Sequence, residues 1–348
     1  MTQRQTALTL LLPGLAPPMM APDLPSGKEE AGIRPVALQR LLSRATFEKF
    51  PVTGLERQLF HLFGFPLRDG ELPVAELTYA FDGGERPGSR LRCDPVHLVP
   101  GHNSLVLSAG GALNLSLDEC ACLAAELERA YSDLDWHFEA LTPERWYLTL
   151  PEAPRLRTHP LSDVVGRSIE HYLPKGQDAK KWHARIAEVQ MLLHDSPVNR
   201  EREMRGAPKI NSLWFWGEGV LPESQKPGWQ GVWSDEPVAR ALAESSGVPC
   251  FPVPGDAAEW LAADVSGEHL LVLDRERYLH RFQERAVWLE WLSNLEERWF
   301  SPLLGALQRG RLARLTMIGE GDRAFRLDRR AMRRWWRRRR PVEQLLGV

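Results

Sequence analysis

Two short stretches concentrate side chains that can do chemistry. The first reads Arg90-Leu91-Arg92-Cys93-Asp94-Pro95-Val96-His97. On extended backbone alternate residues share a face, so Arg90, Arg92 and Asp94 are expected to project together. Guanidinium groups on one face suit a phosphate or a carboxylate. The expectation is an anion contact built from Arg90, Arg92, Asp94 and His97; the plainer reading is a solvated strand face or a structural Arg–Asp pair. The second stretch runs from Pro197 to Gly219 and ends Asn211-Ser212-Leu213-Trp214-Phe215-Trp216-Gly217-Glu218-Gly219. Trp214 and Trp216 alternate, as in a packed strand that closes on a glycine turn. A lone G-x-G lacks the third glycine of a dinucleotide fingerprint, and no Walker sequence occurs.

Other chemistries find little support. There is no G-x-S-x-G and no H-E-x-x-H. Ten histidines are scattered along the chain, and four cysteines (Cys93, Cys120, Cys122, Cys250) lack zinc spacing, so no metal site and no cofactor are expected. The cysteines read as buried or free thiols in a reducing compartment. Net charge is −2, yet Arg329–Arg340 holds eight arginines and no acid, with Trp335 and Trp336 between them. The rest of the chain is therefore acidic. Arginines interleaved with aromatics suit nucleic acid or an acidic protein, whereas a terminal helix docked on the body is the plainer reading.

These residues need elements to position them. The 348 residues are 43% hydrophobic and 26% charged, enough for a substantial core and unlike a disordered chain. No apolar run is long enough to span a bilayer. Ala7–Leu12 reads as a buried strand rather than a signal peptide, because it is short and ends at Pro13-Gly14; a cytoplasmic location is expected. Strands are expected at 105–107, 112–115, 137–141, 145–150, 213–216, 248–253, 270–273 and 312–318. Helices are expected at 35–44, 54–63, 117–130, 178–194, 236–246, 256–263, 281–299 and from 301. Ser116 and Glu119 form a capping box for the third of these. Strands alternating with helices argue for an α/β fold, a mainly parallel sheet flanked by helices, with an inserted smaller α+β lobe. The expected divisions are 1–85 and 206–328 for the two parts of the core, 86–205 for the lobe, and 329–348 for an Arg/Trp-rich C-terminal tail.

The phrases LRCDPVHL, PERWYLTLP and EVQMLLHDSPVNREREMRGAPKINSLWFWGEG resemble the bacterial RpfE-type regulatory proteins, which are phosphoglycerate mutase-like. More distantly, the layout is similar to the archaeal-type cofactor-independent phosphoglycerate mutases of the alkaline-phosphatase superfamily. The resemblance covers about residues 90–320 and implies an alkaline-phosphatase-like sheet with a substrate lobe inserted in it. It adds Asn199, Arg202 and Asn211 to the candidate site residues, either holding the lobe to the sheet or lining a cleft. Active members of the superfamily bind two divalent metals, use a serine nucleophile and end their first strand in an aspartate ligand. Here LTLLL runs into Pro13-Gly14, Asp274 and His280 only echo the late D-x-x-x-H spacing, and the last strand leads to Gly319-Glu320-Gly321-Asp322.

The resulting expectation is a phosphoglycerate mutase-like regulatory or anion-binding protein, a pseudoenzyme without two-metal phosphotransfer, whose partner is a phosphorylated small molecule. Two alternatives stand beside it. One is an active phosphoglycerate mutase or phosphotransferase with an altered site. The other is a nucleic-acid or protein interaction module acting through Arg329–Arg340.

Overall fold

The computed structural model describes residues 6–15, 35–66, 72–101, 104–223, 227–263, 266–274, 285–319, 321–334, 336–337 and 342–346. The chain opens with β1 (Ala7–Leu11), α1 (Val36–Arg44), β2 (Thr46–Lys49) and α2 (Leu55–Leu62). It continues through α3 (Val74–Phe81), β3 (Ser89–Pro100), β4 (Leu105–Ala109), α4 (Leu117–Ala130), β5 (His137–Ala140), β6 (Trp146–Leu150), β7 (Leu156–Arg157), α5 (Leu161–Val164), β8 (Lys175–Gly176), α6 (Ala179–Asp195), α7 (Pro197–Met204) and β9 (Ser212–Trp216). It returns with β10 (Gly231–Trp233), α8 (Pro237–Ser245), β11 (Cys250–Phe251), α9 (Ala257–Ala262), β12 (Glu268–Val272), α10 (Arg285–Leu295), a π-helical turn at Glu296–Phe300, α11 (Ser301–Arg309), β13 (Arg314–Ile318), β14 (Arg323–Asp328) and α12 (Val342–Leu346).

Two compact units result, Met1–Gly64 with Ser224–Val348, and Phe65–Glu223. The first is built on a sheet of order β11-β10-β12-β1-β13-β14-β2 among the described residues. Strands β11, β10, β12, β1 and β13 run parallel, and β14 and β2 add an antiparallel edge. Strand β1 is buried at all five positions, as a central parallel strand covered on both faces must be. Leu8 and Leu10 join a core with α1, α9, α10, the π-helical turn and α11 through Leu38, Trp260, Trp288, Trp299 and Leu303. This is the α/β architecture expected from the alternating pattern, a mainly parallel sheet flanked by helices.

The second unit is an antiparallel sheet, order β4-β3-β6-β5 with β9 also paired to β3. One face carries its own core, where Leu91, Cys93, Leu148 and Phe215 meet Leu123 and Leu127 of α4 and Trp182 and Val189 of α6. The unit is wider than the 86–205 segment read from sequence. Strand β9, assigned by its place in the chain to the second part of the core, hydrogen-bonds along β3 from Arg92↔Trp216 to Val96↔Ser212. At the other end, Ala75 of α3 donates to Gly217 O at 3.0 Å and Leu72 to Glu218 O at 3.2 Å.

Local expectations meet local corrections. The capping box at α4 is present, with Glu119 N donating to Ser116 Oγ at 3.2 Å and Ser116 N to Glu119 Oε2 at 2.9 Å. Leu117, the first residue of that helix, is 64% exposed, and its buried face is made by Cys120, Leu123, Ala124 and Leu127. The segment at 112–115 is no strand; a 3-10 turn at Gly110–Leu113 takes its place. The strand read at 248–253 shrinks to β11. Cys93 and Cys120 are buried, Cys122 and Cys250 exposed, and all four are free. No helix among the described residues is long and apolar enough to cross a membrane.

Candidate functional site

The alternation read at 90–94 holds. Leu91 and Cys93 point into the core of the second unit, while Arg90, Arg92 and Asp94 meet the side of the sheet that α3 covers. Asp94 is fully buried. Its Oδ1 accepts from Arg92 Nε at 2.9 Å and Arg92 Nη2 at 2.7 Å, and its Oδ2 from Trp216 Nε1 at 2.7 Å. The Trp146 backbone N–H adds a donor at 3.3 Å. Burial lifts the Asp94 carboxyl above its ordinary value, and Arg92, Trp216 and Trp146 pull against that rise. Burial works against the Arg92 charge, yet Asp94 and Tyr147 offset it and hold its pKa above the ordinary value. The Arg92 guanidinium lies between the rings of Tyr147 and Trp216, at 5.4 and 5.2 Å, and reaches Thr78 Oγ1 of α3 at 3.4 Å.

Arg90 is placed differently. Its guanidinium lies 4.0 Å from the Tyr79 ring centre, and Nη1 pairs with Glu76 Oε2 at 2.8 Å. Nη2 donates to Arg86 O at 2.6 Å and Gly88 O at 3.2 Å. Its Nε is buried with no hydrogen-bond partner among the described residues. Glu76 is 41% exposed, so this pair is where the cluster reaches solvent.

Sequence reasoning missed the other half of the cluster. Asp82, the residue after α3, accepts from Arg145 Nε and Nη2, both at 2.7 Å, and from Tyr147 Oη at 2.5 Å. A carboxylate at a helix C-terminus faces the negative end of the dipole, and the bidentate Arg145 offsets this. Tyr147 is held protonated well past neutral pH, by burial first. Tyr79 Oη donates to Glu139 at 2.8 Å, and Glu139 stands 3.7 Å from Arg86. Arg145 and Tyr147 lie inside the PERWYLTLP phrase, a signal that named the segment without naming their partner.

The remaining candidates do not join this cluster. His97 Nδ1 is 2.8 Å from Lys209 O. Asn211 clips β3, accepting from Leu98 N at 2.7 Å and donating to Leu98 O at 2.9 Å. Asn199 is buried and donates to Leu193 O and Ile210 O, both at 2.7 Å, while accepting from Ile210 N at 2.8 Å. Arg202, also buried, donates to Pro208 O at 2.8 Å, Glu119 Oε1 at 2.9 Å and Leu113 O. These three side chains fasten the segment between α6 and β9. The G-x-G is structural as well: Gly217 has φ of +83°, and a Cβ there would lie 3.1 Å from Ala75 N. Glu218 between the glycines accepts from Thr158 N at 2.9 Å.

In α/β sheets of this kind ligands gather at the carboxyl ends of the parallel strands. Strand β1 ends in buried Leu12 and Pro13. Strand β10 leads to Ser234, Asp235 and Glu236, and β12 to Asp274; Glu236, Asp274 and Glu56 interact electrostatically. Glu236 caps α8, accepting from Ala239 N at 2.6 Å. Burial, then the charge of Asp274, raises its pKa to about 8, so it keeps its proton at neutral pH. No group of three or more His, Cys, Asp or Glu among the described residues is arranged to hold a metal ion. This donor set does not fit a pair of divalent cations. His280 and Glu320 lie outside the described residues.

No family model matches the chain. It is 25% identical over 223 residues to a protein of Geobacter sulfurreducens described as a probable 2,3-bisphosphoglycerate-independent phosphoglycerate mutase, covering 62% of this chain and 55% of that one. It is 32% identical over 101 residues to the 2,3-bisphosphoglycerate-independent phosphoglycerate mutase of Methanothrix thermoacetophila, covering 28% and 26%. The chain thus spans about half or less of the length of these curated relatives. Among solved structures, a cofactor-independent phosphoglycerate mutase from Thermoplasma acidophilum gives a TM-score of 0.45 at 16% identity, over 92% of this chain and 89% of that one. The PH0037 protein from Pyrococcus horikoshii gives 0.52 at 11% identity, over 94% and 88%. The second likeness carries the fold, and the sequence matches make the chain phosphoglycerate mutase-like.

Proposed function

We propose that this chain is a phosphoglycerate mutase-like regulatory protein that binds a small phosphorylated or carboxylated anion and does not carry out two-metal phosphoryl transfer. The observation that carries the reading is the end of β1. The family resemblance calls for an aspartate ligand there, and Leu12 and Pro13 supply no donor. Two-metal transfer needs ligands that fix both ions so that they activate the nucleophile and stabilise the transferring charge. Glu236, which stands nearest to that role in kind, is a proton-bearing helix cap. The resemblance to RpfE-type regulatory proteins supports the regulatory part.

Arg90 supports the anion-binding part. Its Nε is unused, its Nη1 faces a half-exposed glutamate, and its plane is braced on Tyr79. An anion competing with Glu76 would gain a guanidinium already held in place. Arg92, in contrast, is committed to Asp94, whose other oxygen accepts from Trp216 of β9.

Calorimetric titration with 3-phosphoglycerate and with inorganic phosphate at low salt tests the binding. Wild type is expected to bind, and Arg90→Lys, which keeps the charge but loses the fork, to bind several-fold more weakly. A mutase assay with added manganese tests the chemistry. Turnover above background that is abolished by a chelator would overturn the non-catalytic reading.

A further inference from the structure

The arginine-rich segment is used in two ways. Part of it is structural. Ala331 and Met332 are buried, and Arg44 of α1 donates to Met332 O at 2.9 Å. Arg334 Nη1 donates to Arg44 O at 3.2 Å and to Thr46 Oγ1 at 3.0 Å, and Arg337 Nη1 to Ala45 O at 2.7 Å. The carbonyls at the end of α1 lack helical partners and carry its negative dipole end, so Arg334 and Arg337 complete that terminus. They also fix the segment beside β2, the edge strand of the first unit's sheet.

The rest of the described stretch faces solvent. Arg329, Arg330 and Arg333 are exposed and pair with no carboxylate among the described residues. Two residues beyond Arg334 stands Trp336, 64% exposed, and one residue beyond Thr46 stands Phe47, 55% exposed. The Arg323 guanidinium lies 5.6 Å from the Phe47 ring. Acids border the patch: Glu48 stands 3.8 Å from Arg326, and Asp322 3.9 Å from Lys49. Three exposed arginines without a carboxylate among the described residues, together with exposed rings at Trp336 and Phe47 on a chain otherwise acidic, suit phosphate contact combined with base stacking. A membrane-surface segment of this kind is an amphipathic helix that buries one apolar face, whereas Ala331–Arg333 is a 3-10 turn. An acidic protein would use the arginines and leave the rings idle.

We propose that Arg329, Arg330, Arg333 and Trp336, with Phe47 of the neighbouring sheet edge, form a binding surface for single-stranded nucleic acid. The arginines contact phosphates and the two rings stack on bases, with recognition of the strand rather than of its sequence.

Fluorescence anisotropy of labelled oligo-dT and oligo-U of ~20 nucleotides with the full chain tests this. Binding is expected at about 50 mM salt, weakening on a log–log plot with a slope of about −2 for three contacts. The triple variant Arg329→Ala, Arg330→Ala, Arg333→Ala is expected to lose at least about tenfold in affinity and to flatten the salt response. Trp336→Ala and Phe47→Ala are expected to weaken binding several-fold with the slope unchanged, a split that simple loss of charge would not give. Circular dichroism melts confirm that each variant is folded. Equal binding by the triple variant, no binding at low salt, or tighter binding to polyglutamate or to phosphatidylserine vesicles at matched salt would each overturn the proposal.

Discussion

Glu236 does two jobs that conflict. As the N-cap of α8 its carboxylate satisfies a backbone donor, and as a buried neighbour of Asp274 and Glu56 it resists ionisation. Its folded pKa is about 8 against 4.5 for the free side chain. Between those values the unfolded chain has lost the proton and the folded chain has kept it, so this residue makes stability fall as pH rises from about 4.5 to about 8. Glu236→Gln keeps the cap and removes the titration. Urea melts are expected to show little change at pH 5 and a gain on the order of 1–3 kcal/mol above pH 8; an equal effect at both values would contradict the assignment. Asp94 is likewise buried and raised, but it is paired: both of its oxygens accept hydrogen bonds, Oδ1 from Arg92 and Trp146 N and Oδ2 from Trp216. Asp94→Asn leaves the Arg92 charge in a dry sheet face and is expected to cost about 3–5 kcal/mol, read as a lowered urea midpoint together with a shift in Trp216 emission. The Arg90–Asp94 row was legible from alternation alone. Asp82, Tyr79 and Glu139 were not, because they reach the row only through the packing of α3 on the sheet.

Among the elements, those written locally read well and those defined by distant partners did not. Ser116 and Glu119 announce α4 because a capping box is complete within four residues. Strand β9 carries nothing in its sequence that says it pairs with β3, more than a hundred positions away, so its apolar run was read into the wrong unit. Likewise β2 is exposed at each of its four positions and gives no apolar signal. The family phrase around 197–211 was legible as important, but its role is to join α6, α7 and β9. Asn199→Ala would strip partners from Leu193 O and from both polar groups of Ile210, at an expected cost of about 2–4 kcal/mol; anion binding, measured in the folded fraction, is expected to be unchanged. Glu119→Ala would leave the buried Arg202 without its carboxylate and remove the side-chain half of the α4 capping box, while Ser116 still caps the helix. It is expected to cost about 3 kcal/mol or more, with the loss seen in a thermal melt.

At the scale of the molecule, the second unit owns its hydrophobic core. The residues of that core all fall between Leu91 and Phe215, and those of the first unit's sheet fall outside this span. A fragment covering residues 65–223 is therefore expected to fold alone, giving one cooperative transition by circular dichroism and calorimetry; a molten, non-cooperative fragment would show that the core is not self-sufficient. Strand β1 has the reverse character. It is flanked by β12 and β13, so Ala7–Leu11 must wait for Glu268–Val272 and Arg314–Ile318 before either edge is covered. During synthesis the interior unit can finish while Leu8, Leu10 and Leu11 still lack their neighbours on the sheet. The nascent protein thus carries a sticky, unpaired ribbon until those strands emerge, which makes truncations that lack them prone to precipitation and marks this strand as a place for a chaperone to hold.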